Sequence, residues 1–332
     1  MRLLVTGGLG FIGSNFCRHI LRTYPEIEII NLDKIGTTTN SHSLKDLENE
    51  KRYTFIRGDI CDSKLLKYLI VHVDAVVNMA AETHVDTSIV YPTSFLQNNT
   101  VGTFTLLEAI KKFNDKAKLV HVSTDEVYGT ILEGSVTEEA TIKPSNPYSA
   151  SKAAADFFVL AYCKTYNLNM SITRCTNNFG PYQSPDKLIP KTILRVLKNL
   201  KVPVYGTGKN IRDWIYVQDH CEAIEHVLMK GQPSEIYNIS SNNDMSTIEI
   251  VKKILNLLGK NEDLVDYVED RPGHDARYCI DSTKIRTELN WKPKFSFMGA
   301  LESTVNWYLN NKWWWKSLVT KKILASTPWK AL

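Results

Sequence analysis

The sequence predicts an α/β fold, with a doubly wound parallel sheet joined to a smaller mixed α/β domain. Three observations support it. Apolar strand-like runs alternate with amphipathic helical stretches, a glycine-rich turn follows the first run, and the pattern changes after about residue 174. Strands that alternate with helices form parallel sheets covered on both faces, and ligands of such sheets bind beyond the carboxyl ends of the strands.

Six strands are expected in order, over residues 2–6, 28–33, 53–56, 75–79, 119–123 and 169–173. Helical periodicity separates most of them, for example over residues 12–24, 101–113 and 149–166. Beyond residue 174 Pro, Gly and Asn become frequent. We therefore expect a first domain over residues 1–173 with a return segment at about 213–240, and a second domain over residues 174–212 and 241–332.

Composition narrows the function classes. A length of 332 residues suggests two domains, and no apolar run reaches the roughly 18 residues that span a bilayer, so we expect no membrane partner. The net charge of +4 comes from a lysine-rich tail without acidic residues after Ser303, so we expect no nucleic-acid partner. The six scattered cysteines have no metal-ligand spacing, which predicts no metal site and a reducing cytoplasm.

A glycine-rich turn, Thr6-Gly7-Gly8-Leu9-Gly10-Phe11-Ile12-Gly13, directly follows the first predicted strand. Glycines at this spacing allow a tight bend, close approach to a pyrophosphate and close packing of helix on strand. The N-terminus of the following helix supplies N–H groups and a positive dipole end for phosphates. This context predicts a Rossmann-type dinucleotide site at Gly7, Gly10, Phe11, Ile12 and Gly13.

Asp33 ends the second predicted strand, twenty residues after Gly13. A carboxylate at this place can bind both ribose hydroxyls of a dinucleotide and repels a 2′-phosphate. NAD is therefore favoured over NADP as the cofactor, although the neighbouring Lys34 weakens that preference.

The ends of the third and fourth predicted strands complete the cofactor site. Asp59 and Ile60 follow the third strand and can reach the adenine, but Asp59 could equally cap a helix. Ala80 and Ala81 follow the fourth strand, and their small side chains let a cofactor lie across the edge of the sheet.

Tyr148 and Lys152 are four residues apart, so on a helix they share a face. A cationic Lys152 would lower the pKa of Tyr148 and could hydrogen-bond a nicotinamide ribose. A more acidic tyrosine can accept the proton of a hydroxyl whose carbon loses a hydride. The spacing is common by chance, but after a glycine-rich turn and five strands it predicts a catalytic pair.

Thr124, Asp125 and Glu126 leave the fifth predicted strand at its carboxyl end, where an open α/β sheet places its active site. Thr124 can hydrogen-bond a substrate hydroxyl near Tyr148. Two close carboxyl groups cannot both ionise easily, so their pKa values separate, and one can act as acid while the other acts as base. Alternatively, the two acidic residues could simply belong to a solvated turn. Their position at the end of a strand favours the catalytic interpretation.

With these residues the chain resembles the extended short-chain dehydrogenase/reductase superfamily, which modifies nucleotide sugars, and more closely its dTDP-glucose 4,6-dehydratase family. The resemblance extends to about residue 310. It rests on Ala80-Ala81-Glu82-Thr83-His84-Val85-Asp86, Thr124-Asp125-Glu126, Tyr148–Lys152, Arg174–Tyr182, Lys187-Leu188-Ile189-Pro190, Arg212-Asp213-Trp214 and Asp270-Arg271-Pro272-Gly273-His274-Asp275.

The resemblance implies a reaction in which dTDP-glucose loses water to give dTDP-4-dehydro-6-deoxy-glucose. Tyr148 would take the O4 proton while the C4 hydride goes to NAD. Glu126 would remove the C5 proton, Asp125 would protonate the departing C6 hydroxyl, and the hydride would return to C6. The resemblance also implies a homodimer formed through helices that flank Tyr148.

The ligand-binding residues implied by the resemblance form two sets. Thr83, Asn98 and Asn178 join the cofactor residues named above. The nucleotide-sugar residues are Thr83, His84, Thr124, Asn177, Lys187, Leu188, Pro203, Tyr205, Arg212, Asn243, Arg271 and His274, with Pro203 and Tyr205 at the base. Arg212 and Arg271 suit a diphosphate because a guanidinium fork matches phosphate oxygens; surface ion pairing is their plain alternative.

The chain departs from the family pattern in places. Thr87 replaces an expected arginine, Ile35-Gly36-Thr37-Thr38 lacks the usual tyrosine, and Cys175 and Phe179 replace more polar residues. These positions concern adenosine packing and the lining of the site. Trp313-Trp314-Trp315 and the lysine-rich end fall outside the resemblance. We expect these aromatics to pack on the second domain or a partner subunit rather than to form a membrane-interface helix.

Other functions stay open. Sister enzymes of the superfamily include UDP-glucuronate decarboxylase, GDP-mannose 4,6-dehydratase and 4-epimerases. Asp125 argues against a decarboxylase or an epimerase, because neither needs an acid for a leaving hydroxyl. A non-catalytic NAD-binding sensor belongs to a different class, and the intact Tyr148, Lys152 and carboxyl pair argue against it.

Overall fold

The central feature of the computed structural model, which describes residues 1–36, 39–321 and 323–330, is a parallel sheet. The strands are β1 Arg2–Thr6, β2 Glu28–Asp33, β3 Tyr53–Arg57, β4 Ala75–Asn78, β5 Lys118–Thr124, β6 Met170–Cys175, β7 Asn177–Phe179, β8 Val202–Tyr205, β9 Ile211–Tyr216, β10 Ile236–Ile239, β11 Asp244–Ser246 and β12 Val265–Val268. Seven of them form the sheet in the order β10-β6-β5-β4-β1-β2-β3, and every neighbouring pair is parallel.

Helices cover both faces of this sheet, and further helices belong to the second part of the chain. The helices are α1 Phe11–Thr23, α2 Ser63–Ile70, α3 Val85–Val90, α4 Pro92–Phe95, α5 Gly102–Phe113, α6 Pro147–Tyr166, α7 Leu188–Leu197, α8 Val217–Lys230, α9 Thr247–Leu257, α10 Thr283–Glu288, α11 Phe297–Asn310 and α12 Lys312–Trp315. Leu3 and Val5 of β1 pack with α1 and α8, whereas Leu4 packs with α2, α5 and α6. A strand buried on both faces needs a continuous apolar run. Such a run is visible in the sequence of β1, and it explains why this strand could be predicted.

The predicted sheet and its six strands are confirmed, with ends that differ by at most two residues. The sequence did not identify the seventh strand, β10, as a strand. It lies at the edge of the sheet, parallel to β6, and its four residues are too few to show a reliable period.

The second part of the chain contains two small sheets, which confirms its predicted mixed α/β character. In the order β11-β9-β7, one pair is antiparallel and the other parallel, while β8 pairs with β12 in parallel. The exact domain boundaries stay a prediction. Within the proposed return segment, α8 packs on α1 and β10 joins the large sheet, but β9 belongs to a small sheet.

The three consecutive C-terminal tryptophans differ in burial. Trp314 and Trp315 are buried in an apolar cluster with α7, α9 and α11, as expected, whereas Trp313 is exposed. Within the described ranges, none of the helices has the length and apolar character that a membrane span requires. Thr37, Thr38 and Lys322 lie outside the described residues, so the run that lacks the usual tyrosine is described only in part.

The order of the large sheet reverses between β1 and β4. From β1 the chain proceeds outward to β2 and β3, and it then returns to build β4, β5, β6 and β10 on the other side. At such a point the strand ends separate and leave a crevice, the usual ligand position in open α/β sheets.

Candidate active site

A cavity of about 340 Å³ opens at this crevice. Every residue predicted for the cofactor lines it: Gly7, Gly10, Phe11, Ile12, Gly13, Asp33, Lys34, Asp59, Ile60, Ala80, Ala81, Thr83, Asn98, Tyr148, Lys152 and Asn178. The other predicted catalytic residues, Thr124, Asp125 and Glu126, line the same cavity, as do His84, Asn177 and Lys187. The fold therefore brings the predicted cofactor and catalytic residues to one place.

The glycine turn fits a dinucleotide because its residues line the cavity while packing tightly behind. Gly7 has a φ of +72°, and a Cβ atom there would lie 2.7 Å from the backbone N of Ala80. A Cβ atom at Gly13 would lie 2.4 Å from the carbonyl O of Gly7, so both positions require glycine. Among the described residues no side chain caps the N-terminus of α1, which leaves its first N–H groups available to a phosphate.

Asp33 holds the glycine turn as well as lining the cavity. Its Oδ2 accepts a hydrogen bond from Leu9 N–H at 3.0 Å, and its Oδ1 accepts one from Ile35 N–H at 2.8 Å. Burial raises the pKa of Asp33, and these backbone N–H groups oppose the rise. Each carboxylate oxygen has a second lone pair, so Asp33 retains capacity for ribose hydroxyls.

Three more predicted cofactor residues meet at the cavity. The Lys34 Nζ donates to Asn98 Oδ1 and lies 3.7 Å from Asp59 Oδ2. Asp59 Oδ1 accepts a hydrogen bond from Cys61 N–H at 2.9 Å, but the residue that caps α2 is Asp62. The alternative that Asp59 caps a helix is therefore wrong.

Tyr148 and Lys152 lie one turn apart on α6, and both are buried beside the cavity. The Lys152 Nζ donates to the carbonyl O of Val122 at 2.8 Å, and burial lowers the pKa of Lys152 to about 8. The expectation that Lys152 lowers the pKa of Tyr148 is not met. Burial raises the pKa of Tyr148 well above its usual value, the charge of Glu126 raises it further, and the Thr124 hydroxyl opposes the rise.

The Asp125 and Glu126 carboxyl groups line the same cavity, but the charged groups around each of them differ. Asp125 is 2% exposed, and its Oδ1 accepts a hydrogen bond from Thr124 Oγ1 at 3.2 Å. Burial raises the pKa of Asp125 well above its usual value, and the charge of Glu126 raises it further. Burial also raises the pKa of Glu126, but the Arg271 and Arg212 charges oppose that rise. The arrangement favours a protonated Asp125 beside an ionised Glu126.

Sequence reasoning missed the residues that surround Glu126 on its other side. The Tyr278 hydroxyl lies 3.4 Å from Glu126 Oε2 and donates to Asp275 Oδ2 at 2.6 Å. Asp275 also accepts hydrogen bonds from the hydroxyls of Thr130 and Ser145. Tyr278 lies 152 residues from Glu126, and no local spacing relates the two.

Seven residues predicted for the nucleotide sugar lie outside the cavity lining: Leu188, Pro203, Tyr205, Arg212, Asn243, Arg271 and His274. Asp86 ties two of them together. Its Oδ1 accepts a hydrogen bond from Arg271 Nη1 at 2.9 Å, and its Oδ2 accepts one from the Tyr205 hydroxyl at 3.1 Å. Arg212 donates through Nη2 to the carbonyl O of Asp275 at 2.9 Å.

The alternative of surface ion pairing for the two arginines is wrong. Arg212 is 6% exposed, and the partner of Arg271 is the buried Asp86. Both charges act on Glu126, and the Nε of Arg271 has no hydrogen-bond partner among the described residues. Together they form a cationic end of the site that suits a diphosphate.

The remaining residues of this group come from several segments of the second part of the chain. Leu188 begins α7, and Pro203 lies in β8 beside Tyr205. Asn243 N–H donates to Asp213 Oδ1 at 2.6 Å. His274 Nδ1 lies 2.6 Å from Asp270 Oδ1, and burial lowers the pKa of His274 to about 4, so its ring is neutral at pH 7.

His84 and Lys187 connect the catalytic centre with the cationic end. The Lys187 Nζ donates to the carbonyl O of Thr83 at 2.9 Å, and it lies 3.6 Å from Asp186 Oδ2. His84 Nε2 lies 3.5 Å from the same oxygen. Thr87, at the position of the expected arginine, donates its N–H to His84 Nδ1 at 3.3 Å and so orients that ring.

Two asparagines and a cysteine also line the cavity. The Oδ1 atoms of Asn177 and Asn178 are buried without a hydrogen-bond partner in the part of the chain that is described, as expected of a ligand site. Burial raises the pKa of Cys175 to about 12, so its thiol is neutral. Phe179 lies outside this lining and is buried against Tyr216 and Phe297.

Comparison with known proteins assigns this site to a family. The family model described as GDP-mannose 4,6 dehydratase matches residues 4–304. A dTDP-glucose 4,6-dehydratase of Streptomyces niveus is 46% identical over 332 residues, which cover 99% of this chain and 98% of that protein. The chain belongs to the dTDP-glucose 4,6-dehydratase family.

Further members of this dehydratase family show the same likeness. The dTDP-glucose 4,6-dehydratase of Escherichia coli is 43% identical over 351 residues, covering 96% of each protein. The solved structure of a dTDP-glucose 4,6-dehydratase from Streptomyces venezuelae, with NAD bound, is 44% identical and has a TM-score of 0.94. It covers 96% of this chain and 100% of that chain. The resemblance seen in the sequence is thus confirmed over nearly the whole chain.

Proposed function

We propose that this chain binds NAD and converts dTDP-glucose to dTDP-4-dehydro-6-deoxy-glucose and water. One observation carries the proposal. Asp125 and Glu126, neighbouring carboxyl groups in unlike surroundings, line the cavity that also contains Tyr148 and Lys152. The names of the relatives support dTDP-glucose as the substrate, and the NAD bound to the Streptomyces venezuelae enzyme supports the cofactor.

NAD, when bound, supplies the hydride acceptor and later the donor, and its positive nicotinamide ring lowers the pKa of a phenol beside it. Tyr148 accepts the proton of the hexose O4 as C4 is oxidised to a ketone. Thr124 hydrogen-bonds the same hydroxyl and orients it. Lys152, with a pKa of about 8, is mostly cationic at pH 7 and hydrogen-bonds the nicotinamide ribose.

The two carboxyl groups then catalyse the elimination of water, one as a base and the other as an acid. The new 4-ketone acidifies the hydrogen at C5, and the ionised Glu126 removes it as a proton. The protonated Asp125 gives its proton to the C6 hydroxyl, which leaves as water. The resulting double bond receives the hydride at C6 and the proton of Glu126 at C5. Each proton transfer of this kind contributes about 10² to 10⁴ to the rate.

Binding of the nucleotide is assigned to the cationic end. Arg271 and Arg212 hold the diphosphate, because these half-buried and buried guanidinium groups both place positive charge near Glu126. Pro203 and Tyr205 border the base, next to Leu188. The ionic contact between Arg271 and Asp86 must be exchanged in part for the diphosphate when substrate binds.

Product formation from three nucleotide sugars tests the proposal. The protein is incubated separately with dTDP-glucose, UDP-glucose and GDP-mannose, and mass spectrometry detects the loss of one water and the new ketone. We expect kcat/KM for dTDP-glucose to exceed that for GDP-mannose by at least ~100-fold, because a mismatched base leaves buried polar groups unpaired. Product from GDP-mannose alone would support the sister activity that names the family model. A lack of product from all three would leave only cofactor binding.

We also propose that the chain is a homodimer formed through α5 and α6. These helices expose Phe104, Phe157 and Phe158, and Phe157 is 57% exposed. Apolar patches of this kind mark association surfaces. Light scattering after size-exclusion chromatography should give twice the chain mass, and Phe157→Lys should give a monomer. Tyr68→Lys, on α2, is the control and should stay dimeric; a monomeric parent chain would reject the proposal.

Finally, we propose a reducing, cytoplasmic location. All six cysteines are free, and Cys17, Cys163, Cys175 and Cys221 are buried. Unpaired thiols are typical of proteins that stay in a reducing compartment. Cell fractionation should recover the protein with cytoplasmic markers; recovery with exported proteins would contradict this location.

A further inference from the structure

The C-terminal helix α12 lies beyond the residues matched by the family model, which end at residue 304, yet it reaches the cofactor cavity. Trp314 is 2% exposed and forms part of the cavity wall. Trp313, its neighbour, is 55% exposed and lies outside that wall. One tryptophan of this run is therefore placed to act on the cofactor, and the adjacent one is a natural control.

Two hydrogen bonds join Trp314 to the segment that follows β2. Asn40 Nδ2 donates to the carbonyl O of Trp314 at 2.6 Å, and Trp314 Nε1 donates to Ser43 Oγ at 3.3 Å. Asn40 and Ser43 line the cavity as well, and so does Asp33 at the end of β2. This part of the cavity wall is thus built from both ends of the chain.

An aromatic cluster holds Trp314 in this position. Its ring centre lies 5.6 Å from that of Tyr182 and 5.2 Å from that of Trp307. The guanidinium of Arg18, on α1, lies 4.0 Å from the ring centre of Tyr182, which also lines the cavity. The cluster therefore connects α1, which starts at the glycine turn, with α11 and α12.

We propose that Trp314 retains the cofactor: by joining the C-terminal segment to Asn40 and Ser43, it closes the cavity wall and slows the release of NAD. Release then requires these contacts to open, so the C-terminal segment limits how fast the cofactor exchanges. A reaction that returns every hydride needs no exchange of cofactor between turnovers. The inference rests on cofactor binding and does not depend on the identity of the sugar substrate.

The dissociation rate of NAD tests this inference without any turnover. Holoenzyme loaded with labelled NAD is mixed with excess unlabelled NAD, and the label that stays bound is followed over time. We expect Trp314→Ala to raise the dissociation rate about tenfold, the equivalent of ~1.4 kcal/mol. Trp313→Ala removes an equally large side chain from the same helix and should leave the rate unchanged.

A second variant covers the case in which Trp314→Ala fails to fold, since this side chain also packs in an apolar cluster. Asn40→Ser replaces the amide that donates to the Trp314 carbonyl by a shorter hydroxyl, keeps a side-chain oxygen for the turn at His42, and leaves the aromatic packing intact. We expect a severalfold faster release of NAD from it, with only a small fall in Tm from the loss of one buried hydrogen bond. Release at the parent rate from Asn40→Ser and from any folded Trp314→Ala would overturn the inference, as would equally fast release from Trp313→Ala.

Discussion

The two ends of the site are organised differently. At the cofactor end, the residues that follow β1, β2, β3 and β4 line a single cavity, and the tight packing at Gly7 and Gly13 fixes the turn between strand and helix. At the nucleotide end, the predicted residues come from separate segments and are bonded to one another, as Arg271 and Tyr205 are through Asp86. The sheet therefore fixes the first end before any ligand binds, whereas the second depends on contacts that the diphosphate of the proposed substrate would replace in part.

This difference has kinetic consequences. A residue held by the sheet at the chemical centre stabilises the transition state, so its loss lowers kcat. A residue that exchanges a protein partner for a phosphate contributes mainly to ground-state binding, so its loss raises KM. The following variants test whether the two ends separate in this way.

Replacement of the proton acceptor should have the largest effect. In Tyr148→Phe the O4 proton has no acceptor, so kcat should fall by ~10³- to 10⁴-fold while the protein keeps its bound NAD. Stopped-flow absorbance of the reduced cofactor after mixing with dTDP-glucose measures the step directly. Rapid cofactor reduction in this variant would show that another group accepts the proton.

Arg271→Ala should chiefly affect the nucleotide end. Removing one member of a hydrogen-bonded charge pair that is shielded from water costs about 2–5 kcal/mol, so we expect KM for dTDP-glucose to rise ~10²-fold. Because the Arg271 charge also lowers the pKa of Glu126, kcat is compared on the plateau above the acidic decline, where it should change much less. NAD binding, measured by calorimetry, should not change. An equal loss in kcat and kcat/KM would mean that Arg271 acts in the transition state and that the two ends do not separate.

The pH profile of kcat should report the unlike carboxyl groups. Both pKa values are raised, that of Asp125 further. As pH falls through the raised pKa of Glu126, the base becomes protonated and kcat falls. As pH rises through the raised pKa of Asp125, the acid loses its proton and kcat falls again, about tenfold per pH unit on either side. A profile without an acidic decline would contradict an ionised Glu126.

Tyr278→Phe should have the smallest effect. Its hydroxyl lies 3.4 Å from Glu126 Oε2 and donates to Asp275, whose charge raises the pKa of Glu126. Without this hydroxyl the Asp275 charge is less compensated, so kcat should fall severalfold and the acidic decline should move to higher pH. The matched control is Tyr237→Phe, whose hydroxyl accepts from the Gln232 N–H far from the site. Identical profiles for both variants would remove Tyr278 from the surroundings of Glu126.

The sequence predicts which residues meet at the cofactor end of the cavity, because its signals there are local. Asp33 and Ala80 follow strands whose apolar runs are visible in the sequence, and parallel strands bring their carboxyl ends to one edge. The nucleotide end follows from the resemblance alone, since no periodicity connects Arg212 with Arg271. Trp314 lies 271 residues from Ser43, and the spacing of neighbouring residues cannot predict a contact over such a distance in the sequence.

The electrostatic surroundings of the catalytic side chains also could not be predicted from the sequence. The spacing of Tyr148 and Lys152 predicts that the lysine lowers the pKa of the tyrosine, but the fold directs Lys152 at the Val122 carbonyl and places Glu126 near Tyr148. Similarly, the adjacency of Asp125 and Glu126 predicts separated pKa values. Only the fold indicates which carboxyl keeps its proton, because Arg212 acts on both carboxyl groups whereas Arg271 acts on Glu126.

The division of labour between the two carboxyl groups is tested most directly by exchange at C5 in deuterium oxide. Asp125→Asn and Glu126→Gln are each mixed with dTDP-glucose, and magnetic resonance follows deuterium at C5 of the sugar. We predict that Asp125→Asn incorporates deuterium at C5 while losing water slowly, and that Glu126→Gln incorporates none. Equal incorporation in both variants, or incorporation in Glu126→Gln alone, would contradict the assignment of Glu126 as the base and Asp125 as the acid.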